Sequence, residues 1–154
     1  MEKFTIDNPI ETGARILLIL HKYKPIQLST EDITMADFIV TDLTTTLPPL
    51  HVQTNYSEQK FIVRRKLITM ALNLYIENDL IERVFTPKGF TYTTSGNYTN
   101  FILAINSPHM RKMLEKISSL PDGNSKLNQN LQHIILEYSS LHDWSFELTH
   151  TIRE

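Results

Sequence analysis

A long apolar-periodic run, residues 58 to 78, halts at Asn78-Asp79 and passes straight into two β-rich runs. These are Leu80-Ile81-Glu82-Arg83-Val84-Phe85-Thr86 and Phe90-Thr91-Tyr92-Thr93-Thr94. Pro87-Lys88-Gly89 between them is a turn by composition, so the pair reads as a hairpin. The segments on either side read as helices. Few folds place a helix directly before a hairpin in a domain this small, and the order matches the winged-helix plan, a helix-turn-helix core with an added β-ribbon.

The helices carry their own start and stop signals. Asn8-Pro9-Ile10-Glu11 opens the first: Asn8 caps, Pro9 suits the first helical position and Glu11 can return the capping bond. Ile10, Ala14, Leu17, Leu18 and His21 follow at helical spacing, and Pro25 ends the run. Ser29-Thr30-Glu31-Asp32 caps a second helix reaching about Thr41. Residues 44 to 59, Thr-rich with Pro48-Pro49, read as a long loop, and Ser57 caps the third helix. Ser95 is expected to begin a helix through Phe101, Ile102 and Ile105, and Ser107-Pro108 a further one through Ile117. Pro121 to Ser125 is a linker-like turn, after which Leu127, Leu131, Ile134, Ile135 and Tyr138 mark a last helix. The expected architecture is mainly α (α+β): a winged-helix domain over residues 1–120, then a helical extension and tail over 121–154, packed on the same domain or on a partner.

The chain has 154 residues, 41% of them hydrophobic, enough for one core. It has no cysteine, which removes disulfides and thiolate metal sites and fits a reducing compartment. No secretory signal and no membrane-length apolar run is visible, so a cytoplasmic protein without membrane contact is expected. The formal net charge of −2 is unlike that of a freestanding nucleic-acid binder.

Arg64-Arg65-Lys66, with Lys60 one turn earlier, would be the DNA-reading residues of the third helix, and Arg83 and Lys88 those of the wing. Helical geometry fans three consecutive side chains apart. The wheel places Val63, Leu67, Met70, Ala71, Leu74 and Tyr75 on the buried side, Lys66 opposite and Arg65 on the flank. Arg64 falls on the apolar face itself. It therefore needs a carboxylate, either from another element of this chain or from another chain at an interface. Trp144 and Phe146 in the tail are aromatic anchors that dock at home or on a partner.

An active site is not visible. The six histidines show no metal-ligand spacing, and the four glycines build no phosphate loop. The acids Glu31-Asp32 and Glu77/Asp79 sit at helix ends, where caps are expected. No catalytic residue, cofactor or metal is expected.

Asn8-Pro9-Ile10-Glu11-Thr12-Gly13-Ala14-Arg15 and the apolar run after it resemble the opening of the middle component of bacterial ABC-three-component systems. The resemblance continues through Leu50-His51, Val63 to Leu67, Leu80 to Arg83 and the hairpin to Ser107-Pro108, covers about Ile6 to Ile117, and is weakest after Ser118. It implies a non-catalytic adaptor between an SMC-like ABC ATPase and an effector, as in Lamassu-type anti-phage defence. DNA contact would come through the complex, and ATP, magnesium and nuclease activity would belong to the partners. The alternative is a stand-alone winged-helix DNA-binding regulator.

Overall fold

The computed structural model describes residues 8–43, 58–104 and 107–141. The chain runs α1 (Pro9–Tyr23), α2 (Thr30–Phe38), a π-helical turn (Ile39–Leu43), α3 (Glu58–Glu77), β1 (Ile81–Thr86), β2 (Gly89–Thr94), α4 (Tyr98–Ala104), α5 (Pro108–Ser118) and α6 (Leu127–Leu141). The expected second helix to Thr41 is therefore α2 plus the π turn. The expected loop 44–57 and the tail with Trp144 and Phe146 lie outside the described residues.

Three of the helix starts follow the capping chemistry of the sequence. Asn8 Oδ1 accepts from the Glu11 amide at 2.9 Å, Ser29 Oγ from Asp32 at 3.1 Å and Ser107 Oγ from Met110 at 3.2 Å. Each cap satisfies an otherwise orphan donor and stabilises by about 1 kcal/mol. Ser95 does not start a helix. Its hydroxyl accepts from the Asn97 amide and donates to the Asp79 carbonyl, and α4 begins three residues later, at Tyr98.

The first helix departs from the expected stripe. Every residue from Thr12 to Leu20 is buried, whereas Ile10 is 64% exposed and His21 is exposed. The reason is position: α1 is the central rod, packed by α2, α3, α5 and β2. A helix covered all round has no need of a polar face. Leu127, Leu131 and Ile135 of α6 join the same apolar core, on the α2 side.

The expected buried side of the third helix is also rotated. Val63 and Met70 are 66% and 56% exposed, and the buried residues are Ile68, Ala71, Leu72 and Tyr75. Apolar residues lie on both faces of α3, so periodicity alone does not choose the inner one. Close approach to α1 does. The Tyr75 ring lies directly over Gly13, where a Cβ would fall inside the ring's van der Waals envelope. Its hydroxyl donates to the Ile10 carbonyl at 2.7 Å. Burial pushes the Tyr75 phenol from 10.0 up to about 12. Tyr23 is raised further, by burial and then by Asp122 and Asp32, and donates to the Pro121 carbonyl at 2.6 Å. Both phenols are held neutral, so their contribution is complete below pH 10, the unfolded value, and is lost as pH rises through the folded values. Urea titrations from pH 8 to pH 11.5 should show stability falling above pH 10, and Tyr75→Phe should flatten part of that fall.

α3 ends in a Schellman motif. Asp79 adopts φ of +61°, its amide bonds Ile76 O at 3.0 Å, and the Leu80 amide bonds Tyr75 O at 2.9 Å. The chain turns there into the hairpin, whose register pairs Ile81 with Thr94 and Thr86 with Gly89. Two-residue hairpin turns favour positive φ at the first loop position, which Pro87 cannot adopt. The strain-tolerant residue sits one place later: Gly89 takes φ of +119°. On the other side of β2, Leu28 pairs with Tyr92 through two backbone bonds of 2.8 and 3.0 Å. The segment between α1 and α2 thus adds a one-residue third strand to the hairpin.

Candidate functional site

The strongest polar feature of the described residues is internal. Asp37 on α2 is buried, and its carboxylate is shared by two arginines from two other helices. Arg15 Nε of α1 donates to Oδ1 at 2.7 Å and Arg15 Nη2 to Oδ2 at 3.2 Å. Arg64 Nη1 of α3 donates to Oδ2 at 2.7 Å. Arg64 also donates to Thr41 Oγ1 at 3.0 Å and, through Nη2, to Asp42 Oδ1 at 3.1 Å. Its guanidinium lies 5.6 Å from the centre of the Phe38 ring. Charge-assisted, partly bidentate bonds of this kind are the strong class, and they hold α1, α2 and the π turn against α3. The carboxylate that Arg64 needs is thus supplied within the chain.

Arg15 and Asp37 were not singled out in the sequence. The signal was present: Arg15 interrupts an otherwise apolar run, Gly13-Ala14-Arg15-Ile16-Leu17-Leu18, and an arginine buried there must be paired. The partner, 22 residues away, carried no local mark.

The other basic candidates are dispersed. Arg65 pairs with Glu31 of α2 at 2.9 Å, both about half exposed. Lys66 is exposed on the outer face of α3. Arg83 lies over the Phe90 ring at 4.8 Å, and Lys88 is exposed in the hairpin turn. Lys60 lies in the first turn of α3, and its side chain, like Trp144 and Phe146, is outside the described set. Among the described residues the cations are not brought together into one stripe.

The apolar surface is better organised. Ile62, Val63 and Met70 are 49%, 66% and 56% exposed on the outward side of α3, around Lys66. Phe85 and Phe90 on the hairpin are 73% and 50% exposed and stack edge to face at 5.4 Å. Scattered exposed apolar residues are ordinary, but here they gather in two groups, one on α3 and one on the hairpin. Among the described residues no three His, Asp or Glu side chains gather as a metal set would. None of the described helices is long and apolar enough to cross a membrane.

No curated protein and no solved structure matches the chain. The family model described as ABC-three component (ABC-3C) system Middle Component 2 matches residues 5–145, from before α1 to beyond α6. With nearly the whole chain matched, and with the helix–hairpin order intact across it, the protein belongs to the Middle Component 2 family and is a component of an ABC-three component system.

Proposed function

We propose that this chain is a non-catalytic adaptor that links an SMC-like ABC ATPase to an effector in a cytoplasmic, Lamassu-like anti-phage system, and that its scaffold is a winged-helix domain. The scaffold reading is supported by chain order: α1, the Leu28 bridge to β2, α2, α3 and then the hairpin. In that plan α3 takes the recognition position.

The observation that carries the adaptor reading is the outer face of α3. It presents Ile62, Val63 and Met70 around a single described cation, Lys66, while Arg64 and Arg65 are engaged by acids of the same chain. Phosphate recognition needs several free cations, whereas a protein interface needs apolar anchors with a polar rim. DNA contact, where the complex makes it, falls to Lys66 within this face and Lys88 in the hairpin turn.

Co-expression with the ATPase component, followed by light scattering, tests this directly. One species with the summed mass is expected. Val63→Asp and Met70→Asp together should weaken the complex by at least about 30-fold, the loss of one interface hot spot, with thermal unfolding unchanged. Two separate species at micromolar concentration would refute the adaptor, and salt-sensitive binding of the lone chain to duplex DNA would put the regulator in its place.

A further inference from the structure

The hairpin outruns the body that it covers. Strand alternation puts Ile81, Arg83 and Phe85 on one face with their register partners Thr94, Tyr92 and Phe90. Ile81, Tyr92 and Thr94 are buried, so this is the core-facing side. Its distal half is uncovered, and that half carries the paired rings of Phe85 and Phe90 with the Arg83 guanidinium above Phe90.

The backbone of β1 adds a second observation. Tyr92 spends both its amide and its carbonyl on Leu28. It has neither left for Arg83, its register partner, so Arg83–Tyr92 is a non-hydrogen-bonded pair of the antiparallel ladder. Alternation makes Ile81–Thr94 and Phe85–Phe90 non-hydrogen-bonded as well. The N–H and C=O groups of Ile81, Arg83 and Phe85 therefore point away from β2, along an edge that no strand occupies among the described residues. Beside this edge is a shallow hollow lined by Ile76, Asp79, Ile81, Glu82, Arg83, Ser95 and Gly96. An open edge beside uncovered apolar side chains is the arrangement that native sheets otherwise avoid.

We propose that the β1 edge receives an extended segment of another protein component of the complex by strand addition, its apolar side chains covering Phe85 and Phe90 and an acidic residue facing Arg83 and Lys88. The proposal rests on the adaptor reading and names where, and by what kind of segment, the adaptor is held. Main-chain bonds supply the affinity in such pairing, and side chains on alternate positions supply the selection. Charge favours an acidic partner segment over a second copy of this chain, since a two-fold pairing of edges would bring another Arg83 and another Lys88 to the same patch. Duplex DNA would leave the outward amides and both rings uncovered.

Hydrogen exchange on the full chain, alone and with the purified ATPase and effector components, reads the pattern residue by residue. In the free chain the amides of Arg83 and Phe85, both exposed, should exchange fast and those of Glu82, Val84 and Thr86 slowly. In the complex the first two should slow by about tenfold or more, which removes the alternation. Phe85→Pro deletes an outward amide and a ring but no ladder bond. It should weaken the complex about tenfold or more while lowering the melting temperature of the free chain by only a few degrees, the loss of the Phe85–Phe90 ring pair. A complex that forms with the Arg83 and Phe85 amides still fast overturns the strand addition and leaves the adaptor standing; failure of any complex to form removes both. Protection that rises with the concentration of the free chain would give the edge to a second copy, and protection only with duplex DNA would give it to nucleic acid; either result overturns the proposal.

Discussion

Asp37→Ala is expected to destabilise the protein by about 3–5 kcal/mol, the cost of leaving buried charge without its partner. Two guanidinium groups lose their common carboxylate at once, and Arg15 has a side chain only 7% exposed. Total stability in a domain of this size is about 5–15 kcal/mol, so the variant should sit near the edge of folding. Arg64→Met should be milder: it leaves Asp37 paired to Arg15, and the Arg64 side chain is 15% exposed, so water already shares its charge. Urea unfolding of both variants and of the double mutant decides the matter. A shared network predicts a coupling between the two sites of about 0.5–3 kcal/mol. Additive effects, or a cost for Asp37→Ala below about 1 kcal/mol, would show that the three helices are held by apolar packing alone.

The second large effect is a reversal of sign. Alanine for glycine in the middle of a helix ordinarily stabilises by roughly 0.5–1 kcal/mol. At Gly13 the added methyl meets the Tyr75 ring, which is fixed by its bond to the Ile10 carbonyl and by burial. Gly13→Ala should therefore cost about 1–3 kcal/mol, the range for overpacking a filled core. In a Tyr75→Ala background the ring is gone, and the same change should become neutral or favourable. Denaturant midpoints of the four proteins in this cycle would check both statements, and a Gly13→Ala that stabilises the parent protein would show that α1 and α3 can part without loss.

Much of this architecture is legible in the sequence. Asn8, Ser29 and Ser107 announce their helices because a capping bond is local and its partner lies three residues away. The hairpin was readable within one residue at each strand, since Ile81 to Thr86 and Gly89 to Thr94 combine β-rich composition with a proline–glycine turn. Arg64 was readable as a charge in need of a carboxylate. The carboxylate itself was not, because Asp37 is 27 residues distant and nothing in Ala36-Asp37-Phe38 names a partner. The inner face of α3 is hidden from the sequence for a related reason. Ile62, Val63, Met70, Ile68 and Leu72 surround the helix, and tertiary contacts, the Gly13 approach to Tyr75 and the Arg64 pair with Asp37, fix which of them are covered. Leu28 gave no strand signal either, since a single bridging residue has no alternation to detect. The exposed face of α3 and the free edge of β1 are products of tertiary placement, and they became visible only when the helix and the hairpin were set against α1.

The junction between α3 and the hairpin has a mechanical meaning. Asp79 is gripped from beyond the hairpin: the Ser95 hydroxyl donates to its carbonyl, Asn97 Nδ2 donates to its carboxylate at 2.5 Å, and the Ser95 amide donates to Leu80 at 3.0 Å. Both ends of the ribbon are thus bolted to the same turn. The ribbon therefore has no loose joint at its root, and a load placed on the hairpin meets the end of α3 directly.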